Sequence, residues 1–553
     1  MRHLSRYDPP MRPRPGVVAA ALLVAGLTAA VAWPSLRYGF VYDDEAVVVE
    51  RKPFWDFDLA TYLASRPNGT GRHVGAAILD LDRLPAGTVP LPFHAMNVVT
   101  AALLSVVFLA FALRLGMSPV AAGTAAALFA VHPVHVDSVA WITGRFELLA
   151  ALGVLGAMLL AVRPSEAAED RRPLRVAAGC FLLGVLAIHS KENALCLPLL
   201  VVLARVFLGP RVALLPALLG TGLAVASWAV MIGPRLSTFP KPEVVDNPLY
   251  YAPFLERLPK SLDILWRYAG LLVWPHPLKP DRSFAETNPG IVEGWLAAGA
   301  WLLAAAATWR LSRRSPLAAF AIAWFPASFA VTGNVASPIG LLMAERLLLL
   351  PSVSACLLAG AGIDAALSAR ASWRGPVLVA AAGTVVVFFA LFRHREAVWR
   401  DSDVYFAAQV EAAPLSAKAW YDQGAWLLRK GRRLEAEAAL ERATTIVPNL
   451  AHGVSLRAES MARRGDPGAG ADVYLQYLQV RPDDTGAMTD AVRLLMDAGR
   501  GREALAWARR LVAAKPGDME AVETLVLAEQ AARLQDEREK NAGAATAAPQ
   551  VSP

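Results

Sequence analysis

Long apolar runs alternate with short polar segments through the first 400 residues of the chain. Each run is rich in Ala, Leu and Val, and a helix needs about 20 such residues to cross a bilayer. The pattern predicts an all-α polytopic membrane protein with about eleven transmembrane helices. The predicted spans lie near residues 17–33, 96–113, 118–131, 146–162, 174–188, 194–208, 212–232, 292–309, 316–331, 347–367 and 376–392.

A twelfth segment, 258–274, differs from these runs. It places Lys260, Asp263 and Arg267 at helical spacing beside several leucines. A helix with one charged face and one apolar face lies at a membrane surface more readily than it spans the bilayer. We therefore predict a surface-lying or re-entrant helix there.

Arginine clusters between the runs indicate the orientation, because cytoplasmic loops of membrane proteins are enriched in Lys and Arg. With the N-terminal arginines in the cytoplasm, eleven spans leave nearly every cluster on that side. The exception is the group Arg393, Arg395 and Arg400. This topology makes the predicted loop 34–95 and the region after residue 392 extracytoplasmic. Residues 1–32 also resemble a signal peptide, and cleavage there would leave the orientation unchanged.

The composition agrees with this class of protein. Hydrophobic residues make up 55% of the chain and charged residues 18%, against about 25% charged in soluble domains. The net charge of +7 comes largely from the arginine clusters, so it does not indicate nucleic acid binding. The three cysteines lie in apolar runs, and we predict no disulfide.

The region after residue 392 contains a repeat. Pro414, Pro448, Pro482 and Pro516 are spaced by 34 residues, with small residues such as Ala436 at matching offsets between them. This spacing is typical of tetratricopeptide-like helical pairs, whose stacked array binds extended peptides or partner helices. A rigid cap on the membrane domain is the alternative reading. The predicted organisation is a cytoplasmic segment 1–16, a membrane domain 17–392, a repeat α-solenoid 393–531 and a disordered tail 532–553.

Ionisable residues gather on the predicted extracytoplasmic side. Asp43 and Asp44 follow the first span directly, where carboxylates are unfavourable unless water, a cation or chemistry uses them. Single interfacial charges often extend into lipid headgroups, which is the simpler interpretation of each residue alone. The full set is Asp43, Asp44, Arg72, His132, His135, Asp137, Arg145, Glu147, Lys191, Glu192, Glu345 and Arg346.

His132 and His135 are spaced closely enough to suggest a metal site. Pro133 stands between them, however, and no third ligand follows at a suitable spacing. We therefore predict no metal at this pair.

The stretch 127–149, ALFAVHPVHVDSVAWITGRFELL, closely resembles a signature of the transmembrane and tetratricopeptide-repeat O-mannosyltransferases, members of the C-type glycosyltransferase superfamily. Further stretches resemble the family in the same order, and the resemblance covers roughly residues 35–520. They are GFVYDD at 39–44, PFHAMNV at 92–98, SKE at 190–192, WP at 274–275 and MAERLLLLPS at 343–352.

The resemblance implies a C-type glycosyltransferase fold, a polyprenyl-phosphate mannose donor and Ser or Thr hydroxyls of a protein as acceptor. It also implies that Asp43 with Asp44 supplies the catalytic carboxylate. A positioned carboxylate can take the proton of an attacking hydroxyl, and attack opposite the lipid phosphate would invert the sugar. The candidates for binding the phosphate are Arg145, Lys191, Arg346 and Arg72. The other candidate site residues are His132, Asp137, Glu147, Glu192 and Glu345.

Two other functions stay open at this point. One is a non-catalytic membrane scaffold whose repeats recruit a partner, and the other is a lipid-linked sugar enzyme that acts on glycans. The sequence also leaves open the sugar, a need for a divalent cation, and whether the membrane is bacterial or organellar.

Overall fold

The computed structural model describes residues 15–65, 71–163, 173–238, 241–284 and 287–546. Within these ranges the regular structure is helical, apart from a bridge between Val162 and Val212. The predicted all-α class is confirmed. The chain forms two compact units, one of Met1–Pro280 with Thr287–Tyr405 and the other of Asp281–Glu286 with Phe406–Pro553.

The helices of the first unit follow the predicted spans with short helices between them. They are α1 (Pro15–Ala32), α2 (Leu59–Ala64), α3 (His73–Leu81), α4 (Arg83–Ala86), α5 (Pro90–Arg114), α6 (Pro119–Val131), α7 (Val136–Val139), α8 (Arg145–Ala161), α9 (Pro173–Ile188), α10 (Leu197–Leu208), α11 (Leu214–Ile232), α12 (Phe254–Val273), α13 (Ile291–Ser312), α14 (Pro316–Ser328), α15 (Ser352–Ala369) and α16 (Arg374–Glu396).

All eleven predicted apolar segments are helical, but the number of spans is not confirmed. Among the described residues, seven helices are long and apolar enough to cross a membrane, and an eighth is if α6 and α7 form one bent span. Helices α9 and α14 are apolar but shorter. The 13 residues of α14 extend about 20 Å, less than a hydrocarbon core of about 30 Å. The first unit is therefore a multi-pass membrane domain whose helices differ in length.

Proline and glycine set the path of the chain near the 127–149 motif. Pro133 lacks the N–H that a continuing helix needs, and the axis turns by 49° between α6 and α7. A Cβ on Gly144 would lie 2.5 Å from the carbonyl oxygen of Asp137, so the turn between α7 and α8 closes only because residue 144 has no side chain. The motif therefore forms a compact turn that contains α7 and connects α6 to α8.

Helix α8 lies inside the first unit. Nearly all its residues are buried, as expected of a helix that is apolar on every side. A Cβ on Gly153 would meet the carbonyl oxygen of Leu183 in α9 at 2.5 Å. The two backbones approach this closely because small residues line the contact, a common arrangement in membrane helices.

The second unit contains the predicted helical pairs. Its helices are α17 (Ser402–Ala412), which begins before the unit boundary, α18 (Ala417–Arg429), α19 (Arg433–Ile446), α20 (Ala451–Arg463), α21 (Pro467–Val480), α22 (Thr485–Asp497), α23 (Gly501–Ala514) and α24 (Met519–Thr546). Each repeat proline follows a helix end by two residues.

The core of this unit is built from the small and apolar residues of the repeat. Ala458, Ala471, Ala504 and Ala508 are fully buried beside Tyr474 and other apolar side chains. The predicted end of the array differs from the structure, because α24 continues to Thr546 instead of ending near 531. Residues 547–553 of the predicted tail lie outside the described residues.

Candidate active site

A short loop after α1 carries the two aspartates. The chain leaves α1 through a 3₁₀ turn, Trp33–Arg37, and enters a π-helical turn, Glu45–Glu50. Between them Tyr42 has φ = 63°, an unusual backbone angle for a bulky residue. Such strain is found where surrounding contacts hold a segment in place, often at functional sites. The turn gives neighbouring Asp43 and Asp44 different environments.

Asp44 is completely buried. Its carboxylate accepts hydrogen bonds from the backbone N–H groups of Val41 and Thr143, each at 3.1 Å. Burial raises the pKa of Asp44 well above its usual range, and the neighbouring charge of Asp43 adds to the effect. Asp44 therefore ties the loop to the corner between α7 and α8, out of reach of a substrate.

Asp43 is the accessible member of the pair. Its side chain is exposed to solvent and accepts a hydrogen bond from Thr143 Oγ1 at 3.1 Å. Surrounding protein raises the pKa of Asp43 by desolvation, while the Thr143 hydrogen bond and nearby cations act in the opposite direction. A carboxylate that is both reachable and less acidic than usual suits proton acceptance.

Three of the predicted cations lie near Asp43. Arg346, Lys191 and Arg72 are all close enough to stabilise its negative charge. Lys191 pairs with Glu147 at 3.0 Å, and Arg72 pairs with Glu192 at 2.6 Å. The structure thus brings five of the predicted site residues, on four segments of the chain, around one accessible carboxylate.

Arg346 differs from the other two cations. Its guanidinium lies 5.5 Å from the centre of the Trp141 ring, and it pairs with no carboxylate among the residues that the structure describes. It is half-buried. A guanidinium held by an aromatic face keeps its donors for an oxyanion.

Arg145 has a different environment from the one that the sequence suggested. It is 1% exposed, and its guanidinium pairs with Asp82 and donates to the backbone of Phe93 and, at 2.6 Å, to Asn97 Oδ1. These bonds commit the side chain to acceptors inside the protein. This placement favours a structural role for Arg145 over the predicted contact with a phosphate.

Asp137 and Glu345 meet at a cation that the sequence analysis did not select. Arg395, at the end of α16, lies 3.1 Å from Asp137 and 3.5 Å from Glu345. Trp399 Nε1 donates to the same oxygen of Asp137 at 3.0 Å, and its ring stacks on Trp141 at 5.6 Å. Asp137 and Glu345 therefore bind Arg395, and Asp137 also positions Trp399, whose ring stacks on the Trp141 ring beside Arg346. Both carboxylates are buried.

The two histidines of the motif are both buried. His132 Nε2 is 3.1 Å from the carbonyl oxygen of Leu272, and His135 Nε2 is 2.8 Å from Ser352 Oγ. In the described ranges, no group of three His, Cys, Asp or Glu side chains is arranged to hold a metal. Both rings connect the motif to neighbouring segments.

Thr143 and Arg395 are the main site residues that sequence reasoning missed. Thr143 lies within the quoted motif, but its type gives no sign that it bonds both aspartates. Arg395 did carry a signal, because it broke the predicted charge bias. Its ion pairs explain why a cation is stable at that position.

The chain is similar to curated proteins over most of its length. Protein O-mannosyl-transferase TMTC3 of Mus musculus is 25% identical over 542 residues, covering 87% of this chain and 53% of the relative. Protein O-mannosyl-transferase TMTC4 of Homo sapiens is 26% identical over 496 residues, covering 75% of this chain and 65% of the relative. A shorter match is to protein O-mannosyl-transferase TMTC1 of Mus musculus, which is 34% identical over 174 residues, covering 27% of this chain and 18% of the relative.

An accessible carboxylate with three cations near it, on a multi-pass helical unit, defines a membrane protein with a site suited to group transfer. The relatives support assigning the chain to the TMTC-like family, in agreement with the resemblance seen in the motifs. The chain spans about half the length of TMTC3, 53%.

Two further comparisons add nothing to this assignment. No family model matches the chain. A solved structure, "Crystal structure of APC/C hetero-tetramer Cut9-Hcn1", is 12% identical and covers 86% of this chain and 97% of its own, but its TM-score of 0.21 carries no argument about the fold.

Proposed function

We propose that the protein is a membrane mannosyltransferase that transfers mannose from a polyprenyl phosphate to Ser or Thr hydroxyls of exported proteins. The relatives named above carry the name protein O-mannosyl-transferase. The observation that carries the proposal is the accessible, hydrogen-bonded carboxylate of Asp43 within reach of Arg346, Lys191 and Arg72. The site faces the extracytoplasmic side in this proposal, where exported proteins and the donor headgroup would meet.

The reaction is a single displacement. The acceptor oxygen forms a bond to the anomeric carbon as the bond from that carbon to the phosphate oxygen breaks, and the configuration inverts. Asp43 takes the hydroxyl proton as the nucleophile attacks, because a neutral hydroxyl is a weak nucleophile at neutral pH. The negative charge that develops on the departing lipid phosphate is stabilised by Arg346, with Lys191 and Arg72 adding positive charge nearby.

The Asp43→Asn variant tests the assignment of the base. An amide cannot accept the proton, so we expect transfer to fall by at least about a hundredfold while the protein remains folded in the membrane. The assay uses purified protein, several polyprenyl-linked sugars and an exported protein mixture, with and without a divalent cation.

Asp56→Asn is the matched control, because Asp56 is an exposed aspartate in the same loop. Its transfer should equal that of the unmodified protein. Retained transfer in Asp43→Asn would remove Asp43 as the base, and absence of transfer by the unmodified protein with every donor would contradict the mannosyltransferase proposal.

A further inference from the structure

Three arginines meet at the end of the first unit that is remote from Asp43. Arg114 ends α5, Arg163 follows α8, and Arg211 follows α10. Arg114 Nη1 donates to the carbonyl oxygen of Val162 at 3.1 Å, and Arg211 Nη2 donates to that of Arg114 at 2.7 Å. The backbone N–H of Arg163 bonds the carbonyl oxygen of Arg211 at 2.7 Å. The ends of these three helices are therefore connected by hydrogen bonds.

The positive charge of this cluster has no acidic partner within the described ranges. No carboxylate pairs with Arg114, Arg163 or Arg211 among the residues that the structure describes, and Arg114 and Arg211 repel each other. The Nε atoms of Arg163 and Arg211 are buried without a hydrogen-bond partner. Uncompensated cations in an apolar setting are unfavourable, so an anion from outside the chain would stabilise them.

A cavity of about 390 Å³ opens beside the cluster. Arg114, Arg211 and Gly116 form its polar end. The rest is apolar and comes from two neighbouring helices, with Val17 and Ala21 on α1 and Val106, Leu109, Ala110 and Leu113 on α5. A ligand matched to this cavity has an anionic group joined to a hydrocarbon chain.

The cavity is separate from the candidate active site. The first turns of α5 are near the Asp43 loop, where His94 Nε2 is 3.3 Å from the carbonyl oxygen of Gly39. Arg114 is at the other end of this helix, whose 25 residues extend about 37 Å. This length is close to the thickness of a bilayer, so a ligand bound beside Arg114 would not occupy the donor site of the proposed reaction.

Bonds from arginine to the carbonyl groups at helix ends are common and need no ligand. They do not account for the remaining guanidinium donors or for the apolar cavity beside them. We propose that this cavity binds an anionic phospholipid, with its phosphate on Arg114 and Arg211 and one acyl chain between α1 and α5. Basic pockets between membrane helices are known to bind anionic headgroups.

Native mass spectrometry of the full-length protein in equal amounts of phosphatidylglycerol and phosphatidylcholine tests this site. We expect preferential retention of phosphatidylglycerol. The double variant Arg114→Gln with Arg211→Gln should reduce that preference roughly thirtyfold, the equivalent of about 2 kcal/mol. Arg313→Gln with Arg314→Gln is the control, because these arginines are exposed at the end of α13, and it should retain the preference.

A second variant keeps the charge and fills the cavity. Ala110→Leu should lower phosphatidylglycerol retention without changing the thermal unfolding midpoint, and it decides the question if the double arginine variant does not fold. Equal retention of both lipids by the unmodified protein, or unchanged retention in Ala110→Leu, would overturn the proposal. Because no sugar transfer is measured, failure of the proposed function would not affect this result.

Discussion

The two adjacent aspartates of the candidate site have different environments. Sequence reasoning selected both, because two carboxylates at the exit of a membrane helix are unusual. It could not say which one a substrate reaches, since that depends on the backbone at Tyr42 and on Thr143, which lies 100 residues from Asp43. For the same reason it grouped Arg145 with Arg346, although one is enclosed and the other is open to an oxyanion.

Thr143→Val should shift the pH dependence of transfer. Asp43 accepts a proton only when ionised, so activity falls as the pH drops through its pKa. The Thr143 hydrogen bond stabilises the ionised form and lowers this pKa. Without it the pKa rises, and the acidic limb of the pH–rate profile moves to higher pH.

Thr143→Ser retains the hydroxyl and serves as the control for this measurement. Its profile should match that of the unmodified protein. An unshifted acidic limb in Thr143→Val would mean that this hydrogen bond does not act on the catalytic group.

At the scale of elements, the periodicity of apolar residues located the helices but not their lengths. All eleven predicted runs are helical, yet α14 is too short to cross a bilayer unaided and α24 continues beyond its predicted end. The length of a helix depends on its capping residues and on the neighbouring helices that it packs against. The composition of a segment does not predict these contacts. The role of α16 was also hidden, because its last turn joins residues from distant motifs.

Arg395→Met should destabilise the first unit. It would leave Asp137 and Glu345 buried together without their cation, and breaking a buried ion pair in this way lowers stability by about 3–5 kcal/mol. We expect a lower thermal unfolding midpoint in detergent. Arg400→Met is the matched control, since Arg400 and its partner Asp401 are both exposed. Equal midpoints for the two variants would contradict the role given to Arg395.

Gly470→Ala should destabilise the repeats. Its Cβ would lie 2.6 Å from the carbonyl oxygen of Ala458, so the two helices must separate, at a loss of about 1–3 kcal/mol. Gly486→Ala places a Cβ no closer than 3.4 Å to its neighbours and should be neutral or slightly stabilising. Hydrogen exchange in α20 and α21 measures the difference, and equal protection in both variants would refute it.

At the scale of the whole molecule, the change in composition near residue 400 predicted a membrane part followed by a repeat array. The structure divides the chain at Tyr405 and Phe406, later than the predicted boundary at residue 392. The difference arises because the residues after α16 pack with the first unit, where Trp399 and Tyr405 lie 4.6 Å apart. Hydropathy alone does not detect such packing.

Removing residues 415–553 should separate the roles of the two units. If the repeats hold the acceptor, transfer to a protein should decrease while transfer to a short Ser-containing peptide at high concentration is retained. The measurement is the ratio of the two rates. An unchanged ratio would exclude the repeats from acceptor binding, and loss of both activities would instead indicate that the first unit depends on them.

The 34-residue spacing of the prolines has an evolutionary implication. In arrays of this type, stability is the sum of similar modules and the junctions between adjacent modules. Tandem duplication of one whole module adds one new junction and preserves the existing ones. Deletion of a module likewise creates only one new junction. Duplication of a short stretch of gene could therefore lengthen the array stepwise, without any change to the chemistry encoded upstream.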